Sequence, residues 1–370
     1  MNVIEIRSLA LVIFVLALPF GGIGQATQEK RPGIVECASR AVEFPAPNTL
    51  LSDEDRLYLG TASGNILALR RSDLAIEWRA ELGGDVVSSL ISNGTNIFAV
   101  NEPSENGSED RKPVSTVRAI RKASGIVDWS VMLPFSGPVH LIRSNGVLFA
   151  AGNGGSIAVV DEKTGAIMRQ TKAGDPIIAA AASQTNGLVI ATKGKGLKFL
   201  TAASDEGTSP VTNEFTITAV LAKSDGGLIV GDERGYVFEF NGSDPSPSWR
   251  FRSGAQISGL FEVEDGVLIT SYDNFLYYVS DYNGDVIWKR RLSGRLNGPG
   301  MLLNGYFLIA DPAESTIVAV DRRTGKVIDI VVLGDGTSSI GGIAGAGTDR
   351  FAAITSKGIR LFAIGGCGPK

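Results

Sequence analysis

Ser115-Thr116-Val117-Arg118-Ala119-Ile120, a short turn, and then Gly125-Ile126-Val127-Asp128-Trp129 form the stretch on which the reading of this chain rests. Its first half alternates apolar and polar residues as a half-buried strand does, Gly125 marks a turn, and a second short strand ends on Trp129. The unit recurs along the chain. Gly64-Asn65-Ile66-Leu67-Ala68-Leu69 runs to Ile76-Glu77-Trp78, and Gly155-Ser156-Ile157-Ala158-Val159-Val160-Asp161 runs to Thr164-Gly165-Ala166-Ile167. Further copies lie at 235–240 with Trp249, at 274–279 with Gly284-Asp285-Val286-Ile287-Trp288, and at 315–321 with Thr324-Gly325. Two weaker copies, at 195–200 and 357–362, resemble each other most. Residues aligned with Ile66 fall at 66, 117, 157, 197, 237, 276, 317 and 359, with successive spacings of 51, 40, 40, 40, 39, 41 and 42. A period near 40 built of short β-rich runs is that of a four-stranded propeller blade, not of a helical repeat.

Eight markers predict an all-β chain folded as one eight-bladed β-propeller over residues 33–364. The last unit stops after three strands, at Ile359 to Ile364. The missing strand is expected from the other end. Gly33-Ile34-Val35-Glu36-Cys37 aligns with Gly125-Ile126-Val127-Asp128-Trp129, which places Cys37 at the Trp position and lets the N-terminal strand close the ring. Closure leaves only short outer edges exposed. Cys37 and Cys367, the two cysteines, then fall in or just beyond paired strands, and a disulfide between them is expected. Simple register carries Cys367 past Cys37 toward Gly33, so Gly365-Gly366 must turn the chain back.

Ahead of the repeats, Arg7 precedes the apolar run Leu9 to Leu18, Pro19 and Gly21-Gly22 break it, and Gly24-Gln25-Ala26 presents small residues for cleavage. That is the pattern of a secretory signal peptide at 1–26, followed by a linker at 27–32, with a tail at 365–370. The apolar run is about half of the roughly 20 residues a spanning helix needs, so no membrane insertion is expected after cleavage. The expected location is the periplasm, peripheral to the outer membrane. No Cys stands at the cleavage point to carry a lipid.

With 35 Lys and Arg against 39 Asp and Glu, the net charge of −4 offers no basic face for nucleic acid. One His and two distant Cys cannot supply a zinc or iron site, though carboxylates could hold a hard cation. A Ser or Cys hydrolase would need a base, and the only His is His140.

The turns, the Trp positions and the Gly-x-Ile/Val-x-Ala-Leu/Val strands resemble the pyrroloquinoline-quinone-type repeat over essentially the whole mature chain. Within that group the chain is similar to the BamB family of the outer-membrane β-barrel assembly machinery, although such proteins are typically lipoproteins. The resemblance implies a monomeric, non-catalytic exported scaffold that holds another cell-envelope protein, with no cofactor, and a role in outer-membrane protein assembly. The alternatives are a quinone-dependent enzyme and a propeller that binds a small molecule or carbohydrate in its channel. Quinone dehydrogenases resembling this fold carry an adjacent Cys pair, which is absent here.

Candidate site residues follow from departures in the repeat. The 51-residue spacing adds a polar insertion at 101–113, making Glu102, Glu105, Glu109, Asp110, Arg111 and Lys112 either a mobile loop or a partner-binding arm. Asp85, Asp175, Arg295 and Asp335, at the starts of inner strands, and His140 are candidates for one mouth of the central channel. Trp78, Trp129, Trp249 and Trp288 are expected to fill the seams between blades, because a ligand site would mark one blade and not four. Asn93-Gly94-Thr95, Asn106-Gly107-Ser108 and Asn241-Gly242-Ser243 match a glycosylation acceptor but read as turn chemistry.

Overall fold

The computed structural model describes residues 33–43, 45–102, 114–183, 187–193, 196–208, 216–241, 246–333 and 340–368. The expected signal peptide and linker lie outside these residues. All regular structure in the described chain is β, arranged as eight antiparallel sheets in a ring. The first blade runs from the channel outward as Pro45–Ser52, Arg56–Thr61, Asn65–Arg70 and Ile76–Glu81. In the second the inner strand is in two pieces, Asp85–Val86 and Ile91–Ser92, followed by Asn96–Glu102, Thr116–Arg121 and Val127–Met132. The third begins at Val139–Ser144 and ends at Ile167–Lys172; the fourth spans Ile177–Ser183 to a short outer strand, Asp205–Thr208. The fifth runs from Ile217–Ala222 to Trp249–Arg252, the sixth from Ile257–Val263 to Val286–Arg291, and the seventh from Gly300–Leu303 to Val327–Val332.

The eighth blade takes three strands from the C-terminal end, Ile340–Gly345, Arg350–Thr355 and Gly358–Ile364, and its outer strand, Ile34–Ala41, from the N-terminal end. Ile34 lies opposite Ile364 and Ala41 opposite Gly358. The ring is therefore fastened by pairing between the two ends of the propeller.

Why these strands pack as a ring is visible in their burial. The second strand of the third blade, Val147–Gly152, is buried throughout, as a strand between two covered faces must be. Outer strands such as Ile167–Lys172 alternate between half-buried and exposed residues. Eight apolar clusters form, each shared by two consecutive blades; the cluster of Leu57, Leu59, Leu67, Leu69 and Leu74 with Ile354, Ile359 and Leu361 joins the first blade to the eighth. The core is thus a set of seams, not one centre, and each blade is stable only against its neighbours.

Candidate functional site

At four seams a tryptophan of one blade's outer strand reaches the turn that precedes the outer strand of the next. The indole nitrogens of Trp78, Trp129, Trp249 and Trp288 donate to the carbonyls of Lys122 (2.9 Å), Glu162 (3.3 Å), Asp281 (2.9 Å) and Arg322 (2.8 Å). Beneath each ring lies a glycine of that turn, Gly125, Gly165, Gly284 and Gly325, with φ of +72°, +74°, +75° and +65°. A Cβ at any of them would come within 2.6–2.9 Å of the ring above. Glycine is required there twice over, by backbone conformation and by the stacked indole.

Where the Trp is absent, other chemistry makes the latch. Arg169 stands at the Trp register of the third blade, opposite Val159, and donates to the Thr201 carbonyl at 2.7 Å. In the seventh blade Asp329 accepts the Ile34 amide at 2.6 Å. In the opposite direction, Arg118, Lys198 and Arg360 reach back to the carbonyls of Leu82, Ala173 and Leu333 in the preceding blades.

The seam from the eighth blade to the first departs from the expected alignment. Each Trp of the first, second, fifth and sixth blades pairs with the residue two beyond its blade's marker, namely Ala68, Ala119, Glu239 and Tyr278. In the eighth blade that residue is Leu361, and its partner is Ala38, not Cys37. The register shifts between Glu36 and Ala38, so Cys37 is the extra residue of a bulge. The facing turn has Leu74 where the others have glycine. Leu74 keeps the same turn, its amide donating to the Arg70 carbonyl at 2.9 Å, and holds φ at +61° while fully buried. Its side chain belongs to the apolar cluster of this seam, against which Cys37, Ala38, Val42 and Leu50 pack.

Cys37 and Cys367 are bonded, with α-carbons 5.4 Å apart. Gly365 and Gly366 have φ of +87° and +130°, and the Gly365 amide donates to the Gly33 carbonyl, which turns the tail back over the first strand. Arg350 then holds the carbonyls of Cys367 and Gly368 at 2.9 and 3.0 Å.

The four described channel candidates are dispersed, Asp85 and His140 on the inner strands of the second and third blades and Asp175 and Arg295 just ahead of those of the fourth and seventh. His140 is half-buried opposite Ala151, and burial holds its pKa below the usual 6.5. Asp85 and Arg295 are exposed, Asp175 is half-exposed, and Asp335 lies outside the described residues. Of the candidate arm, Glu105, Glu109, Asp110, Arg111 and Lys112 also lie outside them. Glu102 accepts the Gly137 amide at 3.0 Å and so fixes the approach to the third blade. Among the described residues no cluster of His, Cys, Asp or Glu could hold a metal ion, and no helix is long and apolar enough to cross a membrane.

One charged centre has no sequence signal beyond its separate residues. Lys223 is buried in the fifth blade with its Nζ 2.8 Å from Glu239, 2.8 Å from Asp281 of the sixth blade and 3.0 Å from Asp225. Burial opposes its charge, but the hydrogen bonds it donates to Asp281, Glu239 and Asp225 outweigh that and raise its pKa. Burial raises the Glu239 pKa against the pull of Lys223. The residues come from 58 positions of sequence separation between Lys223 and Asp281, brought together by the seam. The cleft between the first and second blades, of about 820 Å³, is lined by Asp53, Asp55, Arg56, Arg121, Lys122 and Asp128 among others.

A family model described as "Outer membrane protein assembly factor BamB" matches residues 46–206 and 198–368. No curated protein sequence matches the chain. Among solved structures, a computationally designed protein, Ika8, superposes with a TM-score of 0.72 at 14% identity, covering 89% of this chain and 99% of that one. BamB from Moraxella catarrhalis superposes with a TM-score of 0.65 at 15% identity, covering 89% and 97%. The C-terminal WD40 domain of Sif2 gives 0.67 at 12% identity, covering 88% and 99%. Likeness at these identities shows the propeller fold alone.

Proposed function

The chain belongs to the family of outer membrane protein assembly factor BamB, and from that premise we propose that it is a non-catalytic periplasmic scaffold that holds another protein of the outer-membrane assembly machinery. The observation that carries this reading is where the chain spends its polar and aromatic side chains. Trp78, Trp129, Trp249 and Trp288, together with Arg118, Arg169, Lys198 and Arg360, join blade to blade. What they build is a rigid ring presenting loops and strand edges. The Cys37–Cys367 bond fits an oxidising compartment. A scaffold of this kind works by preorganisation, since a partner segment meets surfaces that need no ordering.

The test is affinity capture with the mature chain from envelope extracts, followed by identification of the proteins retained. Barrel-assembly proteins in near-stoichiometric yield are the expected result. A spectrum of the purified protein with added pyrroloquinoline quinone and calcium separates the enzyme alternative, and saturable quinone binding with dehydrogenase activity would overturn the scaffold reading.

A further inference from the structure

Among the described residues every blade ends in an outer strand with one unpaired backbone edge, but these edges differ in chemistry. In the first, second and eighth blades the outer strand carries a carboxylate held in an ion pair, Glu77 with Arg56 at 2.6 Å, Asp128 with Arg121 at 2.5 Å, and Glu36 with Arg360. The outer strands of the third, fifth and sixth blades carry cations and no carboxylate, and the sixth stands apart in joining two exposed, unpaired cations to an exposed apolar end. Its outer strand, Val286–Arg291, carries three cations and no carboxylate. Arg290 is committed to the seam through the Gly325 carbonyl at 2.5 Å. Lys289 and Arg291 are exposed and have no carboxylate partner among the described residues; Lys289 lies 5.6 Å over the Phe275 ring. Arg295, four residues on, is exposed as well. At the other end of the same edge, Val286 and Ile287 are 45% and 50% exposed, and Tyr282, in the turn before them, is 93% exposed.

Cations on an edge often serve only to stop strands from adding to it. That explanation fits poorly here. The outer strand of the seventh blade, Val327–Val332, needs such protection more. Its sequence is Val-Ile-Asp-Ile-Val-Val, its Ile330 and Val332 are 50% and 63% exposed, and its one charge, Asp329, is turned to the Ile34 amide. It has no cation. Edge cations recur at Lys172, Arg250 and Arg252 but are missing from the seventh blade, so they do not follow the need for protection, and those of the sixth blade are combined with an exposed apolar end, Val286, Ile287 and Tyr282, that protection would omit.

We propose that the Val286–Arg291 edge docks an extended acidic segment of a partner protein, which adds as a fifth strand. Backbone pairing supplies the register-independent part of the attraction, and the side chains supply selection. Carboxylates two residues apart on one face of the added strand lie opposite Lys289 and Arg291, and apolar side chains cover Val286, Ile287 and Tyr282. The proposal depends on the scaffold reading only in taking the occupant to be a protein.

The experiment uses the mature, oxidised full chain and three synthetic probes. One is a labelled decapeptide of alternating Thr and Val with two carboxylates two residues apart at one end. The others are its lysine counterpart and a version interrupted by proline. Fluorescence anisotropy is expected to show saturable binding of the acidic peptide alone, with slowed amide hydrogen exchange across Val286–Arg291. Lys289→Glu/Arg291→Glu is expected to weaken the acidic peptide at least tenfold and make the lysine peptide the tighter ligand, while Lys289→Gln/Arg291→Gln gives an intermediate loss. Binding that ignores peptide charge, that tolerates the proline, or that leaves exchange at this edge unchanged would overturn the proposal. So would vesicles of phosphatidylethanolamine and phosphatidylglycerol outcompeting the peptide, which would make the edge a membrane contact. Peptide binding without envelope capture would sink the scaffold reading alone; capture that survives Lys289→Glu/Arg291→Glu with no peptide binding would sink this edge alone.

Discussion

Leu74 and Ala38 form a natural inversion of the Trp-on-Gly seam, and undoing that inversion is expected to give strongly coupled stability changes. Leu74 is fully buried, so truncation to glycine removes a core side chain, a loss of about 3 kcal/mol for a Leu site that collapses only partly. Because Leu74 sits at φ +61°, glycine also relieves about 1 kcal/mol of left-handed backbone cost, part of which the more flexible unfolded chain takes back. The expected net effect of Leu74→Gly is a destabilisation of about 2 to 3 kcal/mol. Ala38→Trp alone drives an indole into the space Leu74 fills and costs about 1 to 3 kcal/mol by overpacking. Together the two changes rebuild the arrangement at Gly125, Gly165, Gly284 and Gly325, and the pair is expected to be less destabilising than Leu74→Gly, with a coupling of about 2 kcal/mol. Urea unfolding of the four proteins, with the disulfide intact, reads the cycle directly. Additivity within about 0.5 kcal/mol would refute the claim that the two side chains share one site.

Trp129→Ala should lower stability by about 3 kcal/mol, the lower end of the range for a large aromatic because the ring is only partly buried, as read by the shift in urea midpoint. Lys223→Met strands Glu239 in a buried position and should cost about 3 to 5 kcal/mol, and Lys223→Met/Glu239→Leu should recover much of that loss in the same assay. His140 titrates lower in the folded chain than in the unfolded one, so the unfolded state binds the extra proton as the pH falls through the ordinary His range. Folding stability should therefore decline with acidification from near pH 6.5, and His140→Gln should flatten that part of the profile. Reduction of the Cys37–Cys367 bond opens a loop of 330 residues and should cost on the order of 5 kcal/mol, read as the difference between oxidised and reduced unfolding curves.

The ring was legible because a repeat multiplies weak signals. One alternating run such as Ser156–Asp161 is ambiguous, but eight at a period near 40 specify a blade, and burial follows from that assignment. Cysteine placement was legible for the same reason, through the match of Gly33-Ile34-Val35 to Gly125-Ile126-Val127. The one-residue error at Cys37 has a definite cause. The same bulge precedes the Trp register in five of the other blades, at Glu77, Asp128, Met168, Ile287 and Ile328, so it is the match that is out of step: Glu36, not Val35, holds the register of Val127, and the shared Gly-Ile-Val letters coincide one residue early. A signal was nonetheless present, since Leu74 breaks the Gly turn only where the facing Trp is missing. The Lys223 centre was not legible, because Asp225, Glu239 and Asp281 meet only across a seam. Nor was the sixth-blade edge. Its two unpaired cations stand out only once the exposure of Val286, Ile287 and Tyr282 beside them is known.

The central claim is that this ring binds a protein of the outer-membrane assembly machinery. The most direct measurement is sedimentation velocity on the purified mature chain mixed with the periplasmic part of the barrel-assembly subunit from the same organism. A saturable one-to-one complex in about the micromolar range or tighter is expected, formed with the oxidised chain and without any quinone. Two species that sediment independently at concentrations well above that range would contradict it.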